Sequence, residues 1–387
     1  MKSTEISSSN TVSDSLPWSM RTAETILERH PLLSNRWHYE PGVVLLAIQY
    51  VWQKYGEKRF FDFIKNNIDK FVDQTGNIRT YHLKDYNLDQ INSGKLLFAL
   101  YDQTGDDRYR QASRLLREQL RSQPRNEQGG FWHKLQYPHQ MWLDGVYMAA
   151  PFYAHYGANF DEPEIFEDVA LQVALLNQHA RDPHTGLFYH AWDASHSQPW
   201  ADPRTGCSPH FWARAIGWFM MALSDLLDFF PPSHPQYAFI VETFRSSATA
   251  VARAQESDSG VWYQVIDQGN RPGNYLEASA SCMFVYSLAK GYRRGALAPD
   301  SVDVALRGYK GILEQFVQVD EMGWVNLHRI CSVGGLGGES YRDGSFDYYI
   351  SEKIVSNDYK GIGPFIMASL EIEPLESHID QAEATGS

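Results

Sequence analysis

Two aspartates lie in sequence settings that favour catalysis. Asp144 lies in the segment HQMWLDGVYMAAP, after the apolar pair Trp142 and Leu143 and before a glycine, and Asp89 lies in YNLDQINSG. Apolar neighbours desolvate a carboxyl group and favour its protonated form, which a general acid requires. Because two carboxylates in different environments can divide acid and base work, we expect Asp144 and Asp89 to be catalytic.

Helix capping is the simpler interpretation of both aspartates. Each one stands at the expected start of a helix, where an aspartate accepts backbone N–H groups and stabilises the helix by ~1 kcal/mol without any chemistry. Taken alone, either position is explained by capping. The apolar flank of Asp144 is the observation that favours catalysis over capping.

Side chains suited to an acidic sugar recur near the expected helix starts. An arginine can bind a carboxylate through two parallel N–H donors, and indole rings can stack on a sugar. Arg214 also has structural alternatives, since it could pair with a carboxylate of a neighbouring helix or lie over Trp218, four residues further on the same helix face. The candidate binding residues are Arg214, Trp218, Trp212, Trp142, Met141, Tyr39, His133 and His190.

Other chemistries receive little support from the sequence. The histidines at 133, 139, 190 and 210 have spacings that match no metal-ligand motif, so we expect no metal. The glycine-rich segment SVGGLGG lacks the Gly-Lys-Ser/Thr of a phosphate-binding loop, which favours a turn or a substrate loop. A Gly-x-Ser-x-Gly elbow does not occur, so an acyl-transferring serine is disfavoured, and we expect no cofactor.

Apolar residues spaced at i, i+3 and i+4 predict twelve helices. Amphipathic helices alternate with helices that are apolar on nearly all sides, such as GVVLLAIQYVW, which indicates an outer and an inner ring of six helices each. Each inner helix opens with polar and aromatic residues followed by a small residue, so these clusters should converge at one end of a barrel. Only GGFWHKLQ, GLFYHAW and GVWYQVID have the character of short extended pieces. The predicted helices span residues 18–30, 42–54, 58–73, 89–104, 107–122, 144–156, 163–181, 210–230, 236–256, 276–291, 300–318 and 361–371.

Composition limits the partners and the compartment. The 387 residues show no break in composition, which predicts one domain over residues 16–373 between polar tails at 1–15 and 374–387. The net charge of −13 argues against nucleic acid and anionic membranes as partners, and no apolar run is long enough to span a membrane. Three cysteines without a Cys-x-x-Cys motif, and an N-terminus without an apolar leader, favour a cytoplasmic protein. We expect a monomer or a homodimer.

Three segments together resemble a known group of enzymes. HQMWLDGVYMAAPFYAHYG, FWARAIGWFMMALSDLLDFFP and DGSFDYYISEKIVSNDYKGIGPFIMA resemble the unsaturated glucuronyl and rhamnogalacturonyl hydrolases, glycoside hydrolase families 88 and 105, with the closer likeness to family 105. The likeness runs from about Trp37 to Ile372. It implies an all-α fold, an (α/α)6 barrel of six helical hairpins.

The resemblance also implies a reaction. These enzymes act on a small anionic oligosaccharide, left by a polysaccharide lyase, whose non-reducing end is a 4-deoxy-4,5-unsaturated uronic acid. A carboxylic acid protonates C4, positive charge develops at C5, water adds, and the hemiketal opens and releases the aglycone. We expect an unsaturated rhamnogalacturonan disaccharide as the substrate.

The resemblance assigns roles to residues of this chain. The proton donor, the aspartate of MWLDG, matches Asp144, and the second carboxylate matches Asp89. His190 in FYHAW matches a histidine that assists the donor or the water, and His133 in FWHK matches a histidine that contacts the substrate. The residues expected to hold the uronate or to wall its pocket are Arg214, Trp218, Tyr39, Trp142, Trp212 and Met141.

Three other functions remain compatible with these residues. A conventional inverting glycosidase would use Asp144 as the acid and Asp89 as the base, and would accept saturated glycosides. A sugar epimerase or isomerase would move protons with its histidines. A helical scaffold or sugar-binding module would have no activity for Asp144→Asn to remove.

Overall fold

Helices dominate the computed structural model of the chain. It describes residue 13 and residues 15–385, with side chains up to residue 376. The α-helices are α1 (Trp18–Arg29), α2 (Tyr39–Tyr55), α3 (Lys58–Asp69), α4 (Lys95–Thr104), α5 (Asp107–Ser122), α6 (Leu143–Phe160), α7 (Glu164–His179), α8 (Ala213–Leu226), α9 (Tyr237–Arg253), α10 (Ala278–Arg293), α11 (Asp300–Phe316), α12 (Phe346–Ser351) and α13 (Tyr359–Thr385). The strands are β1 (Gln140–Trp142), β2 (Ala191–Asp193), β3 (Val317–Val319), β4 (Val325–Leu327), β5 (Ile330–Cys331) and β6 (Ile354–Val355), paired antiparallel as β1 with β2, β3 with β4 and β5 with β6.

Six helices form a closed inner ring. α2 contacts α4, α4 contacts α6, and the contacts continue through α8, α10 and α13 back to α2. These helices carry the apolar sequences, and every residue of α8 is buried. The outer helices α1, α3, α5, α7, α9 and α11 each pack on an inner helix. The predicted all-α (α/α)6 barrel is therefore confirmed. Within the described part of the chain, none of the helices has the length and apolar character needed to cross a membrane.

Close packing at the starts of the inner helices explains why small residues stand there. A Cβ atom on Gly42 would lie 2.3 Å from Oγ of Ser93, and a Cβ atom on Gly217 would lie 2.7 Å from Sδ of Met283. Such distances are too short for any side chain, so glycine lets neighbouring inner helices approach each other. The recurrent small residue in the sequence is a packing requirement of the ring.

Some boundaries differ from the sequence predictions. The helix expected over 89–104 begins with two 3-10 turns, Leu88–Gln90 and Asn92–Gly94, and becomes α-helical only at α4. The short helix α12 was not predicted. Of the three extended pieces, GLFYHAW leads into β2, while GGFWHKLQ and GVWYQVID form loops with isolated bridges.

Helix α13 continues beyond residue 371 to Thr385, so the predicted end of this helix is wrong. Pro374 lies inside it, and an interior proline normally destabilises a helix by about 3 kcal/mol. The neighbouring Glu373 carboxylate accepts hydrogen bonds from the Ser19 backbone and the Tyr55 hydroxyl, and binds Lys54. These contacts with α1 and α2 favour the helix across the proline. Residues 1–12, 14 and 386–387 of the predicted tails lie outside the described residues.

Two lysines are buried inside the ring in different electrostatic settings. Nζ of Lys290 lies 2.7 Å from a carboxylate oxygen of Asp225 and 2.7 Å from one of Asp228, and these charges outweigh burial and raise the pKa of Lys290. Nζ of Lys95 donates to the backbone carbonyl of Tyr147 at 3.0 Å and lies over its ring. Burial outweighs the attraction of Asp225 and lowers the pKa of Lys95 to about 7.

The low pKa of Lys95 predicts a pH-dependent stability. The ordinary lysine pKa is 10.5, so the unfolded chain binds more protons than the folded chain between pH of about 7 and about 10.5. The free energy of unfolding should therefore rise across that window as the folded lysine becomes neutral. Lys95→Met should raise the free energy of unfolding at pH 7 and flatten this rise, as measured by chemical denaturation at several pH values.

Lys290→Met is the matched control for Lys95→Met. It should lower the free energy of unfolding, because the carboxylates of Asp225 and Asp228 lose their buried cation. A Lys95→Met variant that is less stable than the wild type at pH 7 would show that the buried ammonium is stabilising, against this expectation.

Candidate active site

A two-strand ribbon brings Asp144 and His190 together. β1 and β2 pair with Trp142 opposite Ala191, and the N–H of Leu143 donates to the carbonyl of His190 at 3.1 Å. Asp144 follows as the second residue of α6, and its Oδ2 lies 3.4 Å from Nε2 of His190. Backbone pairing therefore sets the distance between the carboxylate and the imidazole.

Neither candidate aspartate caps a helix. Trp142 is the N-cap of α6, and its side chain makes no capping hydrogen bond. The turn that contains Asp89 is capped by Asn87, whose side chain accepts from the N–H of Asp89 at 3.0 Å. The capping interpretation is therefore wrong for both Asp144 and Asp89, and their carboxylates have other partners.

Asp89 is held as a carboxylate. Its Oδ2 lies 2.6 Å from Nζ of Lys134, and its Oδ1 lies 3.4 Å from Nε2 of His133. Burial opposes ionisation, but the charge of Lys134, followed by the interaction with His133, outweighs it and lowers the pKa of Asp89. Burial lowers the pKa of His133 to about 4, so this imidazole is neutral near pH 7. A neutral His133 with its proton on Nε2 donates toward the ionised Asp89.

Stacked rings connect the two carboxylates. His133 stacks on Trp142 with ring centroids 4.7 Å apart, and Trp142 stacks on Tyr137 at 4.9 Å. Gly145 leaves room for this arrangement, because a Cβ atom there would lie 2.9 Å from Nδ1 of His133. Trp142 also meets the ring of His190 edge-on at 5.1 Å. The resulting cluster consists of Asp89, His133, Trp142, His190 and Asp144.

His190 is fully buried and fixed from its other side. Its Nδ1 lies 2.8 Å from the hydroxyl oxygen of Tyr349, and its ring packs against Trp212 at 4.8 Å. Trp212 in turn stacks on Tyr349, and its Nε1 donates to Oε1 of Gln264 at 3.1 Å. These contacts set the orientation of the imidazole.

The glycine-rich segment SVGGLGG covers the indoles of the site. A Cβ atom on Gly334 would lie 2.3 Å from the ring of Trp212, so the backbone lies directly on that ring. Leu336 is fully buried in a small apolar cluster with Trp142. The segment is thus a loop over the site, as the sequence favoured.

Arg214 is 1% exposed and has partners within the protein. One guanidinium nitrogen donates to the carbonyl of Cys331 and lies 4.0 Å from a carboxylate oxygen of Glu277, which caps α10. The guanidinium lies over the ring of Trp212, and not over Trp218 as the sequence suggested. Pairing with a carboxylate of a neighbouring helix, the structural alternative for Arg214, is what the structure shows.

Two of the expected binding residues lie behind the site. Trp218 is buried and stacks on a tyrosine of α6, and Met141 is buried and lines an apolar cavity with Val146. Packing in the ring explains both side chains. Tyr39 meets the edge of Trp218 at 6.2 Å and is within electrostatic reach of Asp89, and burial followed by the nearby carboxylates raises its pKa.

No group of three or more His, Cys, Asp or Glu side chains suited to a metal ion occurs within the residues that the structure describes. Cys207, Cys282 and Cys331 are buried as free thiols. The expectation that the site works without a metal stays a prediction.

Three residues of the site were missed in the sequence. Lys134 directly follows His133 in FWHK, Tyr137 lies a few residues later, and Tyr349 lies in the segment DGSFDYYISEK. All three come from loops or from the short helix α12, where helical periodicity gives no signal. Tyr349 lies inside a segment that resembles a known family, and Lys134 lies next to His133 in FWHK; these positions were the signal that could have identified them.

The chain is similar to several known proteins. The sequence profile described as Glycosyl Hydrolase Family 88 matches residues 16–376. A solved glycoside hydrolase from family 105 of C. acetobutylicum ATCC 824 superposes with a TM-score of 0.91 at 44% identity, over 93% of this chain and 100% of that chain. Protein Atu3128 of Agrobacterium fabrum (strain C58) is 40% identical over 230 residues, 58% of this chain and 97% of that protein. Unsaturated rhamnogalacturonyl hydrolase YesR of Bacillus subtilis (strain 168) is 26% identical over 264 residues, 67% of this chain and 72% of that protein.

The ion pair between Lys134 and Asp89 predicts a change in titration. Lys134→Met should raise the pKa of Asp89, because it removes the cation that lies 2.6 Å from the carboxylate. The carboxyl carbon resonance of Asp89, assigned with Asp89→Asn, would be followed against pH. Lys84→Met removes the same charge from an exposed position and should leave the titration unchanged. Equal midpoints in Lys134→Met and the wild type would contradict the ion pair.

Proposed function

Because the chain belongs to glycosyl hydrolase family 88 and to the family 105 glycoside hydrolases, we propose that it removes a 4-deoxy-4,5-unsaturated uronic acid from the non-reducing end of short oligosaccharides. The observation that carries this proposal is the contact between Asp144 and His190 beside an ionised Asp89. An unsaturated rhamnogalacturonan disaccharide is the proposed substrate, since the relative from Bacillus subtilis is an unsaturated rhamnogalacturonyl hydrolase.

Asp144 is the proposed proton donor. Its side chain is 13% exposed, while its partner His190 is buried, so a ligand reaches the acid and not the imidazole. In the proposed reaction the Asp144 proton moves to C4, the electrons of the C4=C5 bond form the new C–H bond, and positive charge develops at C5. Water adds at C5 and loses a proton, and the hemiketal then opens and releases the aglycone.

Asp89 has a different role in the proposal. Because Lys134 and His133 hold it ionised, it accepts hydrogen bonds from ring hydroxyls and does not donate a proton. Lys134 is 20% exposed and offers positive charge to the anionic substrate. The guanidinium of Arg214 adds positive charge from behind the Trp212 indole. The stacked rings of Trp142 and Tyr137 form a wall of the pocket for the sugar ring of the substrate.

The proposed setting is the cytoplasm. The three cysteines are buried as free thiols, which suits a reducing compartment. The proposed partner is a small anionic oligosaccharide that a lyase has already released.

Substitution of the proposed acid tests the function. The wild type should abolish the ultraviolet absorbance of the conjugated C=C bond of an unsaturated rhamnogalacturonan disaccharide, and Asp144→Asn should lower kcat by at least ~100-fold. Asp161→Asn is the matched control, since Asp161 ends the same helix, is exposed, and has a left-handed φ of 54° that asparagine tolerates. Absorbance that persists with this and other unsaturated uronides would overturn the proposal.

Saturated substrates separate hydration from direct displacement of the glycosidic bond. The proposed reaction requires the C4=C5 bond, whereas an inverting glycosidase also cleaves saturated glycosides. Turnover of saturated glycosides would favour the conventional mechanism.

A further inference from the structure

The hydroxyl group of Tyr349 contacts His190, and His190 in turn contacts Asp144, the proposed acid. Its oxygen lies 2.8 Å from Nδ1 of His190, and Nε2 of the same ring faces Oδ2 of Asp144 at 3.4 Å. Tyr349 is fully buried, so a ligand does not reach its hydroxyl from the surface. The hydrogen bond of Tyr349 is made with His190, and His190 is the residue through which Tyr349 is connected to the acid.

The position of Tyr349 is fixed by its surroundings. Its ring stacks on Trp212 with an interplanar angle of 14°. Its backbone carbonyl accepts from Nε2 of Gln264 at 3.0 Å, and Oε1 of the same glutamine accepts from Trp212. Ser345 caps the short helix that carries Tyr349. These contacts hold the hydroxyl of Tyr349 at Nδ1 of His190.

The direction of this hydrogen bond decides where His190 carries its proton. A neutral imidazole has one N–H group and one acceptor nitrogen. Burial raises the pKa of Tyr349 well above its usual value, so the phenol keeps its proton and can donate it. When the hydroxyl donates to Nδ1, the single N–H of His190 is on Nε2 and points at Asp144.

We propose that Tyr349 is a positioning residue that fixes His190 in the Nε2–H tautomer and thereby directs the acid proton of Asp144 to Oδ1. The oxygen that faces the Nε2–H group at 3.4 Å does not carry the carboxyl proton, because two hydrogens would then meet between the two atoms. Oδ2 is buried, and the exposed 13% of the side chain lies elsewhere on it. A proton on Oδ1 is therefore the one that a ligand can reach.

This arrangement also serves the state after proton transfer. When Oδ1 gives its proton to C4, Asp144 becomes a carboxylate, and the Nε2–H group of His190 stabilises the new negative charge. The opposite tautomer would direct a nitrogen lone pair at that carboxylate and would oppose its formation. The role in catalysis rests on the proposed uronide hydration, whereas the tautomer is a property of the protein alone.

Nitrogen NMR tests the tautomer directly. Protein labelled with nitrogen-15 histidine contains 14 imidazoles, so the signals of His190 are assigned by their loss in His190→Gln. The wild type should show a neutral His190 protonated on Nε2, and Tyr349→Phe should shift it to a mixture of both tautomers. Tyr349→Phe keeps the ring that stacks on Trp212, so the fold is retained. A wild-type His190 protonated on Nδ1 would overturn the proposal without any variant.

Tyr348→Phe is the matched control. The hydroxyl of Tyr348 accepts from the N–H of Gly335 at 3.0 Å, so its loss removes a tyrosine hydroxyl from the same helix without touching His190. The wild-type tautomer should persist in Tyr348→Phe. A mixture of tautomers in this control would show that the effect comes from general loosening of the helix and would overturn the specific role of Tyr349.

Kinetics separate this inference from the proposed function. With an unsaturated disaccharide, Tyr349→Phe should lower kcat by about tenfold and change KM by less than about twofold, because the ligand does not contact Tyr349. Failure of the wild type on every unsaturated uronide would overturn the proposed function, while the tautomer comparison would still decide the role of Tyr349. An active enzyme in which Tyr349→Phe keeps the wild-type tautomer and kcat would overturn this inference alone.

Discussion

The site depends on the backbone pairing of two three-residue strands. Residues of β1 and β2 lie about fifty positions apart, on either side of helices α6 and α7, and their register alone places Asp144 next to His190. A slip of one residue would turn every side chain of one strand to the opposite face of the ribbon. The closed ring of inner helices prevents such a slip, because α6 starts directly at the end of β1 and packs against α8.

The two aspartates differ because their partners differ. A lysine ammonium contacts Asp89 and lowers its pKa, whereas the residue that contacts Asp144 is the imidazole of His190. Asp89 and Asp144 both border the stacked rings of His133, Trp142 and Tyr137. Of the two carboxylates, Asp89 is the one that pairs with the lysine ammonium. Lys134, absent from the sequence-based expectation, is thus the residue that gives the two carboxylates different electrostatic surroundings.

The fold was predictable from the sequence, and the pairing of its charges was not. Helices that are apolar on all sides can be recognised locally, and their alternation with amphipathic helices was enough to indicate two rings. Whether Arg214 faces a ligand or Glu277 depends on residues far apart in the chain, as does the continuation of α13 past Pro374 through the contacts of Glu373. Local patterns carry no information about such tertiary contacts.

The contact between Asp144 and His190 is not a hydrogen bond in this geometry. Oδ2 of Asp144 and Nε2 of His190 are both buried without a hydrogen-bond partner, although they face each other at 3.4 Å. A buried polar atom without a partner destabilises the folded state by about 1–3 kcal/mol. A shorter contact would remove that penalty, and hydrogen bonds between catalytic groups commonly tighten when a ligand binds or charge develops. In the proposed reaction, formation of the Asp144 carboxylate would bring these two atoms into a strong, charge-assisted hydrogen bond.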